Sequence, residues 1–261
     1  MEAISRLVSL KKYRNMLFQL VKRDFKVRYR GSILGVLWSV LNPLLYMLVL
    51  SLVFGRVFKQ IPNYRLYLLS GLVLFNFFSE ATNMCVMSIV SNFGLITKVY
   101  FPKFVLPLSR VVASLINLGF SLIAFFVLGS FLGITVWWGY ITLPLMIIFL
   151  LLFTTGVGFI LSAFQVFMRD VQHLYNVIIT LWMYATPILY DFATTQIPEN
   201  LAQILKFNPL YSYVEFFRSV TMYGSFPDMF TVVSVVLWGI GAFIAGAFIF
   251  VKNQKKFIFY T

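Results

Sequence analysis

Glu80 is the one ionisable residue deep inside a long apolar run of this sequence, and Asn76 and Asn83 lie beside it at helical spacing. A carboxylate at the centre of a bilayer costs roughly 2.5–3.5 kcal/mol on insertion scales, so such a group must face protein or water. Two uses fit. A proton relay calls for a second acid or an intramembrane histidine, and neither accompanies it. A polar contact between helices needs only one partner, and Arg110, about two turns into a later apolar run, sits at a similar depth. The single histidine, His173, stands beside Arg169 and Asp170 in a short charged segment. That setting suits a surface or partner contact better than a catalyst. The eight acids are scattered and form no metal-ligand spacing, and no glycine precedes a lysine, which excludes a G-x-x-x-x-G-K-[ST] phosphate loop. The chain is thus expected to be no enzyme, to hold no metal or cofactor, and not to hydrolyse ATP by itself.

The elements that must position these groups follow from composition. The chain is 61% apolar and 11% charged, with a mean hydropathy of +0.89, against about 25% charged in soluble domains. No soluble fold hides that excess, so the chain is read as an all-α integral membrane protein in one domain, residues 1–261. Six apolar runs reach the roughly 20 residues a spanning helix needs: 33–54, 66–90, 104–131, 140–167, 171–190 and 230–251. Residues 33–251 form the six-span core, and 252–261 a cytoplasmic tail. No cleavable signal peptide is expected, because the first run is too long for one and is followed by more spans. Cys85, the single cysteine, lies inside an apolar run and has no partner for a disulfide.

Residues 1–30 precede the first span. Within them Leu10, Tyr13, Leu17, Val21, Phe25 and Tyr29 recur at helical steps, opposite Lys12, Asn15, Gln19, Lys22, Lys26 and Arg30. This is an amphipathic interface helix whose basic face suits anionic lipid headgroups. Gly31 and Gly35 then allow a sharp turn into the membrane. With both termini cytoplasmic, inner segments hold sixteen of the 21 lysines and arginines and outer segments five, which matches the positive-inside rule. The net charge of +13 is accordingly read as topology signal and lipid attraction, with no nucleic-acid partner. Between spans five and six, two short pieces bounded by proline or glycine, near 198–207 and 209–223, are expected to be re-entrant helices on the outer face. Aromatic residues make up 19% of the chain. Most are expected at the membrane interfaces or in packing, while Tyr46, Phe75, Phe77, Phe78, Tyr184 and Tyr190 are candidates to line a conduit for sugars, whose apolar ring faces stack on aromatics.

Arg28-Tyr-Arg-Gly-Ser-Ile-Leu-Gly-Val-Leu-Trp38, followed by Leu41-Asn-Pro-Leu-Leu-Tyr46, resembles the entry to the first span of ABC-2 type polysaccharide exporter permeases, the family serving O-antigen, capsule and teichoic acid. Three further patterns fall in the family's order. They are Asn92-Phe-Gly-Leu-Ile-Thr-Lys-Val-Tyr-Phe-Pro102, Arg169-Asp170-Val171, and Thr186-Pro-Ile-Leu-Tyr190 with Asn208-Pro-Leu-Tyr211 and Glu215-Phe-Phe-Arg218. The resemblance implies a homodimer in the cytoplasmic (inner) membrane that moves a lipid-linked polysaccharide of O-antigen type. Two copies of a separate cytoplasmic ABC ATPase would hold the ATP and magnesium. It implies that the Leu34-Gly35 corner and the loop around Leu95, Lys98, Phe101 and Pro102 contact the ATPase. It further implies that Pro187, Tyr190, Pro209, Glu215 and Arg218 belong to an outer gate, and that Arg169 and Asp170 form an inner-loop motif of unassigned role. Rival readings are an ABC-2 exporter of another substrate (teichoic acid, capsule, drug or lipid) and an integral membrane enzyme acting on lipid-linked sugars. The enzyme would need clustered acids, and Asp170, Asp191 and Asp228 are far apart in sequence.

Overall fold

The computed structural model describes residues 10–134, 136–192 and 198–260. The first nine residues of the predicted interface segment, and Thr261 of the predicted tail, lie outside them. Every regular element among the described residues is a helix: α1 (Leu10–Arg28), α2 (Leu37–Phe54), α3 (Tyr64–Val86), α4 (Phe93–Lys98), α5 (Val105–Phe131), α6 (Leu143–Phe167), α7 (Val171–Ala185), α8 (Glu199–Lys206), α9 (Pro209–Thr221), α10 (Met229–Asn253) and α11 (Phe257–Tyr260). Short 3-10 turns at Val90–Asn92 and Trp138–Thr142 lead into α4 and α6. By length and apolar character four segments can cross a membrane, namely Leu37–Phe54, Val105–Phe131, Trp138–Phe167 and Met229–Asn253. A fifth is the bent pair Tyr64–Val86 with Val90–Lys98, which turns by 52° at its break.

The expected fifth span, 171–190, is shorter than read from sequence. Its helix α7 has 15 residues, about 22 Å long against about 30 Å of hydrocarbon. Proline explains the stop. Pro187 disfavours the helical region for the residue before it, and Thr186 is extended, with ψ of 129°. At the other side of the same segment, Asn208 caps α9 by accepting from the Leu210 N–H at 3.1 Å, with Pro209 at the first helical position. The two short helices α8 and α9 therefore occur where expected. Ten residues of α9 are buried, so it is part of the bundle core.

α3 is the hub, packed by α2, α5, α6, α7 and α9. The closest pair is α6 with α10, where small residues let the backbones touch. A Cβ on Gly156 would stand 2.2 Å from the Ala242 carbonyl oxygen, and one on Gly246 2.2 Å from that of Gly156. α2 and α7 are each covered on one side only. Leu45, Leu48, Leu52 and Val53 on α2, and Leu174, Val177, Ile178 and Leu181 on α7, are exposed.

Candidate functional site

α1 does not simply lie on a surface. Its apolar stripe is covered by protein, because Leu20 packs into a cluster with Ile89, Ile96, Phe104 and Val105, and Tyr13, Met16 and Leu17 pack beside it. The expected membrane-facing stripe is thus turned onto the start of α5. The opposite face, including Asn15, Gln19, Lys22, Lys26 and Arg30, is exposed as the periodicity predicts.

Charge completes this attachment. Asp24, 4% exposed, lies in the middle of the covered face. It accepts from Arg110 Nη1 at 3.1 Å, from Arg23 Nη2 at 2.9 Å and from Ser109 Oγ at 3.3 Å. Arg110 is therefore not the partner of Glu80, as depth alone suggested. Arg28, the last residue of α1, donates to Glu80 Oε1 instead. Two residues at similar depth on different helices meet only if both face the same gap, and Arg110 faces α1.

Glu80 heads a network that spans four elements. Asn117 Nδ2 donates to the same Glu80 oxygen at 2.8 Å, while Asn117 Oδ1 accepts from Tyr29 Oη at 2.8 Å and from Ser39 Oγ at 3.1 Å. Pro43 inside α2 has no N–H for the Ser39 carbonyl, and Ser121 Oγ donates to that carbonyl at 2.9 Å. These groups border a cavity of about 310 Å³ between the end of α1, the start of α2, and α3 and α5. Between α1 and α2 the chain turns through Gly31 and Gly35 with φ of +77° and +50°, values that favour glycine. Leu34 at this corner is 40% exposed and Ile33 fully so.

A second exposed feature lies at the same end of the bundle. After α4 the chain presents Val99 and Tyr100, 49% and 96% exposed, with Lys98 also exposed. Phe101 is buried and anchors this knob, so Val99 and Tyr100, which were not singled out from sequence, face outward beside the expected Lys98, while Leu95 and Pro102 are half-buried. Lys103 Nζ donates to the Gln254 carbonyl at 2.8 Å, capping the end of α10, and its ammonium lies 5.7 Å from the Phe257 ring centroid. Burial holds the Lys103 ammonium below the usual lysine range. Arg169 and Asp170 are exposed in the turn between α6 and α7. Gln165, buried beneath, shapes that turn by donating to the Arg169 carbonyl at 2.9 Å and accepting from the Gln172 N–H at 2.9 Å.

At the opposite end, Arg218 is 1% exposed. It donates to Ser70 Oγ at 3.1 Å, to the Pro187 carbonyl at 2.8 Å and to the Tyr67 carbonyl at 3.1 Å, and its guanidinium lies 3.5 Å from the Tyr67 ring centroid. Tyr67 Oη in turn donates to the Tyr190 carbonyl at 2.7 Å. The fold thus joins Pro187, Tyr190 and Arg218. Pro209 serves as the start of α9, and Glu215 sits one turn from Arg218, with Asp191 and Asp228 close enough to act on it electrostatically. Among the described residues no three His, Cys, Asp or Glu side chains are placed to hold a metal ion.

The conduit aromatics divide. Phe75 and Phe78 are core, Phe78 packing on Phe153 and Trp182 with centroids 5.3 and 5.2 Å away, because α3 is surrounded there. Tyr46 and Tyr184 are exposed, and Tyr46 and Phe77 border the cavity. Asp24, Asn117 and Ser121 were not singled out from sequence, and Tyr29 and Asn42 were noted only within longer patterns. Asn117 and Ser121 carry a signal as polar residues one helical turn apart inside an apolar run, whereas Asp24 lies in the charged N-terminal segment, where an acid does not stand out.

Comparison with known proteins places this chain in a family. The family model for ABC-2 type transporters matches residues 15–222. The chain is 36% identical to the O-antigen export system permease protein RfbA of Myxococcus xanthus over 249 residues, covering 95% of this chain and 96% of that protein. It is 34% identical to an RfbA of Klebsiella pneumoniae over 93% of each chain, and 26% identical to the polysialic acid transport protein KpsM of Escherichia coli over 84% of this chain and 88% of that one. The chain belongs to the ABC-2 type transporter family.

Proposed function

We propose that this chain is the transmembrane subunit of an ATP-driven exporter that moves a lipid-linked polysaccharide of O-antigen type across the cytoplasmic membrane. It works as a homodimer with a separate cytoplasmic ABC ATPase. The observation that carries this reading is the double attachment of α1, through Asp24 to Arg110 and through Arg28 to Glu80. A push on α1, or on the Val99-Tyr100 knob beside it, reaches α5 through the buried Asp24–Arg110 pair, which cannot separate cheaply, and α3 through the more exposed Arg28–Glu80 contact. The ATPase therefore docks at this end, on the knob, the Leu34-Gly35 corner and the Arg169-Asp170 turn. The distribution of lysine and arginine supports placing this end in the cytoplasm, and α7 completes a sixth crossing with the extended residues that follow it. Closure of the ATPase moves α1 and α4, and these swing α2 and α7, whose uncovered apolar faces suit a second copy and a shared conduit. The helices α8 and α9 form the outer gate, with Arg218 holding α9 to α3 and to the Pro187 carbonyl just after α7. The RfbA likeness favours an O-antigen type of glycan. The likeness to the polysialic acid transport protein favours a capsule-type glycan as the second reading.

Co-expression with a cytoplasmic ABC ATPase tests this. The two chains should purify together, and glycan should reach the outer face only while the ATPase is active. Transport or transformation of substrate by this chain with no ATPase present would overturn the proposal. Sugar analysis of the exported material separates the two glycan readings.

A further inference from the structure

We propose that the cavity at the end of α1 is a binding site for one uncharged sugar unit of the exported chain, a reading that rests on the exporter function above. Three polar stripes meet there. α2 contributes Ser39, Asn42 and Tyr46, α3 contributes Asn76, Ser79 and Glu80, and α5 contributes Asn117 and Ser121. Such a concentration inside a membrane bundle is costly unless the groups are bonded. The protein uses part of this capacity internally, in the Glu80–Asn117–Ser39 network. The side chains of Asn42 and Asn76, and the second oxygen of Glu80, have no hydrogen bond among the described residues. They offer both donors and acceptors, which is what vicinal hydroxyls require.

Charge and shape narrow the ligand. The cavity is bordered by one cation and one anion, Arg28 and Glu80, and they are paired to each other. A diphosphate entering it would meet the Glu80 carboxylate and a cation already neutralised, whereas an uncharged polyol meets no repulsion. Trp38, Tyr46 and Phe77 supply apolar walls for the C–H faces of a sugar ring. At about 310 Å³ the space is at the small end of ligand pockets, which run from about 300 to 1,000 Å³. It suits a monosaccharide unit, not a long segment or a lipid tail. Because Arg28 and Tyr29 close α1 while Trp38 and Ser39 open α2, an occupant touches both sides of the joint.

The test uses the full chain in lipid nanodiscs and saturation-transfer NMR with methyl glycosides of mannose, galactose and rhamnose, and with inorganic pyrophosphate as competitor. At least one glycoside should bind saturably, and pyrophosphate should not displace it. Binding should weaken roughly tenfold or more in Asn76→Leu and in Glu80→Gln, since each removes or weakens a hydrogen bond to the ligand. Asn42→Leu, at an exposed position, guards against loss through misfolding and should weaken binding likewise. No saturable glycoside binding, equal binding in all three variants, or displacement by pyrophosphate each overturns the site. Absent binding alongside ATP-dependent export leaves the exporter reading intact. Binding in a chain that exports without any ATPase defeats the exporter reading and keeps the site.

Discussion

Replacing Asp24 with asparagine should loosen α1 from the bundle without unfolding the rest. The exchange keeps the shape and removes the charge that Arg110 faces at 3.1 Å. Arg110 is 19% exposed at its side chain and its Nε has no hydrogen-bond partner, so water recovers little of the lost interaction. Breaking one half of a buried pair costs about 3–5 kcal/mol. The partial exposure of Arg110 lowers the expectation to about 2–4 kcal/mol, and Arg23, 42% exposed, adds little because it stays hydrated. That is roughly a 30- to 1,000-fold rise in the population with α1 detached. Leu20 and Val21 remain to oppose detachment. Amide hydrogen exchange on the full chain in nanodiscs reads this directly, because local opening and global unfolding protect different amides. Amides of α1 should exchange faster by that factor, while those of α6 and α10 stay as slow as before. Arg110→Met alone should behave similarly, and the Asp24→Asn, Arg110→Met pair should exchange more slowly than either single change. Unchanged exchange in Asp24→Asn, or a pair whose effects simply add, would refute the argument that this ion pair fastens α1.

Gly35→Val should cost about 1–3 kcal/mol through its backbone, since φ is +50° and an added Cβ meets no atom within 4 Å. Gly35→Asn should cost less because asparagine tolerates this region, so ATPase-coupled export should rank glycine, asparagine, valine at equal membrane levels. Gly156→Ala should lower the thermal midpoint of the detergent-purified protein, because its Cβ would sit 2.2 Å from a backbone oxygen of α10, with a penalty of about 1–3 kcal/mol or more. A midpoint equal to that of the parent would show that the two helices separate easily. Arg218→Lys keeps the charge but cannot reach three acceptors in one plane, leaving the Tyr67 or Pro187 carbonyl unsatisfied at about 1–3 kcal/mol. Crosslinking between α9 and α3 through introduced cysteines should become less efficient in that variant, and undiminished crosslinking argues against Arg218 as the fastening.

Much of the candidate site was legible because its residues are costly in their setting. Glu80 stands out in an apolar run whatever it touches, and Gly35 stands out between a basic helix and a span. The aromatic candidates were less legible, since Phe75, Phe77 and Phe78 are neighbours in sequence that point to different sides of one helix, and only Phe77 borders the cavity. In the loop after α4 the exposure of Lys98 was legible from its charge, whereas the burial of Phe101 was not, because it depends on packing against residues of α5 and α6.

By itself the sequence determined the membrane character, the limits of most helices and the basic outer face of α1. These follow from local properties: apolar length, periodicity, and the effect of proline and glycine on the backbone. The halt of the fifth apolar run at Ala185 was local too, written in Pro187. Only the tertiary structure decided that Arg28 meets Glu80 and Arg110 meets Asp24, that the stripe of α1 is covered by protein, and that polar stripes on α2, α3 and α5 enclose one cavity. Sequence position sets depth along a helix axis. The rotation of each helix about that axis, and hence which side chains share a gap, is set by how all the neighbouring helices pack at once.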